Sequence, residues 1–439
     1  MFCLAAGACT ASASEVAPPA DQLYFPTGMA TTSTALFVAN ANSELRYDSG
    51  TLDTFDLDRI DQIVSAWILT KTIPDAMDAD HACQQDPDHI ETLVCDETYV
   101  LRAGAGARIG NFATDIAVQD MGGGAARLSV PTRGDPSIAW VDWDGSKLSC
   151  NANQESFALC DDAHRLTYQN TDPNLAYIPD EPFSAFADSG GQFAIVTHLT
   201  SGAVTLIDSP RGANATIADV ATEVFSPNTT TGLRGATGVA GRRPDAAGDT
   251  IYVGSRSEDR IQMFTVGRPV NDAPPFLLTG NWFFLSSIGA NAGGSSDTRA
   301  LQFSADGNRM YLINRLPPTL QIFDTSLGAT GFPQNQLTGA TDICREASTL
   351  HVMDSGDGDR AYVSCFQDGT VYVVDPRGLS HVEDIVQTGR GPYAVAGSPQ
   401  RKKLFVTNFL EDSIAVIDTT PGAITQNRVV LRIGVSKAP

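Results

Sequence analysis

The chain has no run of eighteen apolar residues, so no transmembrane helix is expected. Positive charge is scarce: 29 Lys and Arg stand against 51 Asp and Glu, a formal net charge of −22. Repulsion from phosphates opposes the counterion release that drives nucleic-acid binding, which removes nucleic acid from the expected partners. None of the eight cysteines lies in a CxxC or CxxCH pair, so zinc, thioredoxin chemistry and c-type haem have no support. GxSxG, HExxH and P-loop motifs are missing, and no metal or cofactor is expected.

What is present is a large apolar fraction, 42% of 439 residues, enough to bury a sizeable core. Six cysteines fall into near pairs, Cys83 with Cys95, Cys150 with Cys160 and Cys344 with Cys365, and read as disulfides formed in an oxidising compartment. Each would close a short loop, worth on the order of 3 kcal/mol. Leu4 to Ala8 followed by Cys9 reads as the end of a bacterial lipoprotein signal, with Cys9 as the lipidated residue. Residues 1–22 are then a signal remnant and polar tether, and any membrane contact would run through that anchor.

From residue 23 onward the chain repeats. Its last copy, Gly391 to Gly434, reads GPYAVAGSP, KKLFVTNF, DSIAVIDTT and NRVVLRIG, four short apolar runs bounded by turn residues, as in an antiparallel meander. Strand pairs equivalent to LFVTN and IAVID recur at Leu36–Asn40, Leu128–Thr132, Ala194–His198, Ile251–Ser255, Met310–Asn314 and Ala361–Cys365, giving seven copies in all. A four-stranded sheet leaves both faces wet unless it stacks on its own copies. Phe405, Val406, Thr407 and Asn408, with Ile414 to Asp418 beside them, resemble the repeat of the YVTN β-propeller family. The resemblance implies an all-β, seven-bladed β-propeller of four-stranded blades, a single domain from 23 to 439. Its blades span approximately 23–110, 111–180, 181–233, 234–290, 297–342, 343–390 and 391–434. It does not imply a ligand.

Two excursions interrupt the early blades. Ile60, Ile63, Val64, Trp67 and Ile68 recur at helical spacing, which predicts an amphipathic helix on the outside of blade 1. The acidic segment from Asp75 to Glu97 follows, and Tyr99 to Ile109 reads as a delayed outer strand. Ring closure has two readings: Val429 to Ile433 ends the last blade, or Asp21 to Phe25 adds a strand to it.

Aligning the turns after the second strand on Asn408 puts Ala41, Arg133, Leu199, Arg256, Arg315, Phe366 and Phe409 at one position around a channel mouth. Three guanidinium groups there could pair with the carboxylate or phosphate of a small anionic ligand, or with acids in neighbouring loops. His198, in the same ring, is the candidate general base, and Glu181 is a possible third member. Lactonase-type propellers carry His, Arg and Glu of this sort, a similarity of residue types only. The leading expectation is an extracytoplasmic scaffold or binding module of a bacterial cell envelope, without catalysis, whose partner is an envelope protein or a small anion. The alternative is a lactonase-like hydrolase or isomerase acting on a small carboxylate at the channel mouth.

Overall fold

The computed structural model describes residues 16–73, 83–153, 155, 157–167, 178–227, 231–245, 248–268, 273–285 and 296–434. Cys9 and most of the expected tether lie outside them. Seven antiparallel sheets follow one another along the chain. Their inner strands are Pro26–Thr31, Ala117–Gly122, Pro182–Ala187, Ala236–Asp245, Thr298–Phe303, Ala347–Asp354 and Pro392–Ser398. Blades 3 to 6 are four-stranded meanders, as the repeats predict. Blade 2 ends in two short strands, Leu148–Ser149 and Arg165–Leu166, both paired with Ser137–Trp143.

The middle strands are apolar on both faces because each sheet is sandwiched between two others. All six residues of Lys403–Asn408 and of Ser413–Asp418 are buried. The polar end of the repeat has a different task. Inner strands are bulged at their start, as between Pro392 and Val395 or Pro182 and Ala185, which frees a backbone N–H. A hydroxyl on the second strand takes it: Ala394 N–H donates to Thr407 Oγ1 at 2.9 Å, Thr349 N–H to Ser364 Oγ at 3.0 Å, and Ser184 N–H to Thr197 Oγ1 at 3.3 Å. The hydroxyl hydrogen then reaches the next blade, from Thr197 to Thr237 O at 2.6 Å and from Ser364 to Tyr393 O at 2.7 Å. Threonines in the inner strands, or just ahead of one in the case of Thr114, make the same link elsewhere, Thr27 to Ala113 O at 2.7 Å, Thr114 to Phe183 O at 2.5 Å and Thr237 to Thr298 O at 2.5 Å. Buried polar groups are thereby satisfied by the neighbouring blade, which fixes blade against blade.

Val429 to Ile433 does form the fourth strand of the last blade, within Arg428–Ile433, and Asp21 to Phe25 adds no strand to it. The last blade, with Arg428–Ile433 outermost in the repeat, is extended by Leu93–Cys95 in parallel and then Gln84–Gln85, both from the blade 1 excursion. The Cys83–Cys95 disulfide joins these two strands. The helix, Leu57–Thr70, starts on an Asp56 cap and buries Leu57, Ile60, Ile63, Val64 and Trp67. It packs in one core with Phe405, Val416 and Leu431 of blade 7, so it bridges first and last blades rather than covering blade 1 alone. Thr31 Oγ1 donating to Gly397 O at 2.9 Å closes the inner ring. The outer strand of blade 1 is short, Ala107–Ile109 rather than the longer stretch expected. The other pairs, Cys150–Cys160 and Cys344–Cys365, are also disulfides.

Candidate functional site: the channel mouth

The turn alignment made from sequence is a physical ring. Ala41, Arg133, Leu199, Arg256, Arg315, Phe366 and Phe409 each donate their backbone N–H to the carbonyl of the residue that leads into a blade: Phe25, Phe112, Glu181, Gly235, Asp297, Glu346 and Gly391 respectively. Two concentric circles therefore surround the mouth. Each arginine of the outer circle pairs with an acid of the inner one, supplied by the following blade. Arg133 Nη2 lies 2.5 Å from Glu181 Oε1, Arg256 Nε 3.2 Å from Asp297 Oδ1, and Arg315 Nη1 3.1 Å from Glu346 Oε2. Only Glu181 of these acids stood out in the sequence. The others are found by aligning the residue that precedes each inner strand.

A fourth guanidinium sits deeper. Two residues beyond the inner circle, the inner strands carry Thr27, Thr114, Phe183, Thr237, Arg299, Ser348 and Tyr393, so Arg299 and Tyr393 stand where three other blades place the linking threonine. Arg299 shares Asp297 with Arg256, at 3.1 Å from Oδ1. Four guanidinium groups thus meet three carboxylates. Burial lowers Arg299 to about 10, offset in part by Asp297 and reinforced by the charges of Arg315 and Arg256. A positive charge left in excess in a partly dry site favours an anion.

The rest of the mouth is aromatic. Phe25, Phe366, Tyr393 and Phe409 form a half-buried cluster, with Phe25 and Phe409 ring centroids 5.4 Å apart and Phe366 and Phe409 6.1 Å apart. Below lies a channel cavity of about 850 Å³, lined by Thr27, Asp115, Ser184, Arg299 and Tyr393 near the mouth and by Asp120, Asp188 and Arg242 at the other end. Its size suits a small organic ligand. Burial raises the Tyr393 hydroxyl above its ordinary value, against the pull of Arg299 and Arg133, so it remains a neutral donor.

Glu181 and His198 contrast sharply. Desolvation pushes the Glu181 carboxyl up, but hydrogen bonds from Thr200 and Arg133 and the charges of Arg133 and Arg256 outweigh it and hold the group ionised, below its usual range. Its backbone is left-handed at φ 51°, an uncommon conformation for a residue other than glycine. His198 is completely buried, with Nδ1 3.3 Å from Asp180 O and Nε2 2.8 Å from Thr205 Oγ1. Burial depresses it to about 3, so it is a neutral core residue that does not line the cavity. The turn position brings Arg133, Arg256 and Arg315 to the mouth but points His198 inside its own blade.

No protein family and no curated protein matches the chain by sequence. Solved structures do match by shape. A candidate 6-phosphogluconolactonase from Bacteroides fragilis superposes with a TM-score of 0.54 at 15% identity, over 93% of this chain and 96% of that one. The periplasmic gluconolactonase of Pseudomonas aeruginosa gives 0.50 at 13% identity, over 83% and 86%. Kuenenia stuttgartiensis hydrazine synthase gives 0.51 at 14% identity, over 92% and 97%. At these identities the likeness is one of fold. It corrects the leading expectation of a scaffold without catalysis: the propeller architecture on which that expectation stood is also the architecture of enzymes, lactonases among them.

Proposed function

We propose that the protein is a lactonase-like enzyme of the YVTN-type propellers that acts on a small anionic substrate at the channel mouth. The observation that carries the reading is the pairing of Arg256 and Arg299 with a single carboxylate, Asp297, at the head of a cavity. An excess guanidinium held there is costly unless an anion visits it. The aromatic arc beside it offers an apolar face against which a small ring can lie, while Arg299 takes its acidic group. Charge developing on a lactone carbonyl during ring opening would be stabilised by the same positive field. The three disulfides fit an oxidising compartment, and the reading places the enzyme outside the cytoplasm in a bacterial envelope, which fractionation of the native protein tests.

The test is loss of glucono-lactone and of its 6-phosphate, followed above the uncatalysed rate, for the parent and for Arg299→Gln. The parent should accelerate ring opening, and more for the 6-phosphate, which carries the acidic group that Arg299 takes, than for neutral glucono-lactone. Arg299→Gln should lower kcat/KM by about ten- to a hundredfold, the scale of one charge-assisted contact. A parent inactive on both lactones would remove the proposal.

A further inference from the structure

One step deeper than Arg299, the inner strands and the segment leading into the second of them place Gly28, Asp115, Ser184, Gly238, Ala300, Thr349 and Ala394 around the channel. All but one are small and neutral. Asp115 is the exception, and it is the one carboxylate near the mouth among the described residues that line the cavity, Asp120 and Asp188 lying at the far end. Blade 2 carries it and blade 5 carries Arg299. Three steps around a ring of seven is the largest separation available, so the two groups face one another across the bore.

The carboxylate is held in place. Oδ2 accepts from Ser184 Oγ at 2.7 Å and from the Ala185 N–H at 3.0 Å, both on blade 3, and Oδ1 accepts from the Ile116 N–H at 2.8 Å. Room for it is made by Gly28, where a Cβ would lie 2.9 Å from Ile116 Cγ1 and 3.0 Å from the Asp115 backbone. We infer that Asp115 is the general base of the lactone-opening reaction and that Ser184 is its positioning residue. This rests on the function proposed above.

With the substrate's acidic group on Arg299, as the phosphate of the phosphorylated lactone would be, its carbonyl is directed across the bore toward blade 2 and a water beside Asp115. The carboxylate takes one proton from that water as its oxygen bonds to the carbonyl carbon. When the tetrahedral oxyanion collapses, the ring C–O bond breaks and Asp115 returns the proton to the leaving alkoxide. Lactone and water become a hydroxy acid, and Asp115 ends as it began.

Enclosure inside the channel raises the Asp115 carboxyl above its ordinary value, against the hydrogen bonds from Ala185, Ser184 and Ile116, which brings a base nearer to neutral pH. The charged and titratable groups around it are Tyr393 of blade 7 and, acting on the same tyrosine, Arg299, Arg133 and Arg315.

Asp115→Asn tests this with the two lactones named above. The substitution should lower kcat by about a hundredfold or more with KM within a few-fold of the parent. Gluconate binding, which depends on Arg299, should be retained. Ser184→Ala removes a donor that favours the ionised form, so the acidic limb of its kcat/KM profile should move to higher pH, with activity above the limb within a few-fold of the parent. A purely structural contact would leave that limb where it is, and the second variant reads out even where the first fails to fold. A parent that turns over lactone while both variants match it in rate and pH profile overturns the role of Asp115 and leaves the function standing. So does a Ser184→Ala variant that is dead at every pH, which would make the hydroxyl the nucleophile. A parent inactive on both lactones instead removes the function, and this inference with it.

Discussion

Two buried side chains, Asp53 and His198, and one that lines the channel, His351, tilt the stability of this propeller with pH. Asp53 is 1% exposed in blade 1, where Oδ2 takes hydrogen bonds from Asn40 at 2.6 Å and Thr51 at 3.2 Å, while Oδ1 is buried without a partner among the described residues. Burial pushes its carboxyl up to about 8, against those two bonds. His198 and His351 are depressed by burial to about 3 and about 4. A raised carboxyl binds a proton more tightly in the folded state, so its contribution is present at low pH and is lost between about 4 and 8. A depressed imidazole works in reverse: below the ordinary value of 6.5 the unfolded chain takes up the proton, so stability is lost as pH falls. From about 4 to 6.5 two rising slopes oppose one falling slope, each up to about 1.4 kcal/mol per pH unit. Above 6.5 the two rises end and the fall from Asp53 continues to about 8. Chemical denaturation across this range should therefore show a maximum near pH 6.5, and Asp53→Asn should flatten the descending limb. A descending limb unchanged in that variant would show Asp53 ionised in the folded protein. At this scale the sequence was least informative. His198 sat at the ring position in the alignment, but alignment gives no burial, and its side chain points into the blade. Arg299 and Asp115 were missed because the alignment compared the turns after the second strands, whereas both lie at the start of the first strands or just ahead of them. Comparing those seven strands position by position exposes both as departures.

Elements were far more legible, because strand repeats carry their own punctuation. The second and third strands of each blade, the helix and the three disulfide pairs all fall where spacing placed them. The hydroxyl at the Thr407 position was visible in the motif, but its bridging of blades appears only when neighbouring sheets are set side by side. Thr197 shows the full device: it accepts from Ser184 N–H and donates to Thr237 O, with the side chain fully buried. Thr197→Val keeps the shape and leaves a buried donor and acceptor unpaired, which should cost about 1–3 kcal/mol. Urea denaturation would measure it as a lower midpoint at unchanged slope. A variant as stable as the parent would mean that water replaces the link. Nothing in the local pattern reveals that Leu93–Cys95 docks in parallel on Leu431–Ile433, since the pairing joins residues more than 330 apart in sequence.

For the whole molecule, charge is distributed against its own average. The chain carries a net charge of −22, yet one end of the channel gathers Arg133, Arg256, Arg299 and Arg315 around Glu181, Asp297 and Glu346. The three outer pairs join successive blades, so they serve the ring as well as the mouth. Arg299 is the one that the ring does not require, because blade 5 is already tied to blade 6 through Arg315, whose Nε donates to Ala347 O at 2.6 Å. An anion site built on the surplus charge should therefore be separable from stability. Calorimetric titration of gluconate into the parent and into Arg299→Gln measures this directly. The account predicts one site per chain in the parent, weakened about tenfold or more in the variant, with thermal unfolding of the two within a few degrees of each other. No gluconate binding by the parent, or equal binding by both proteins, would contradict it.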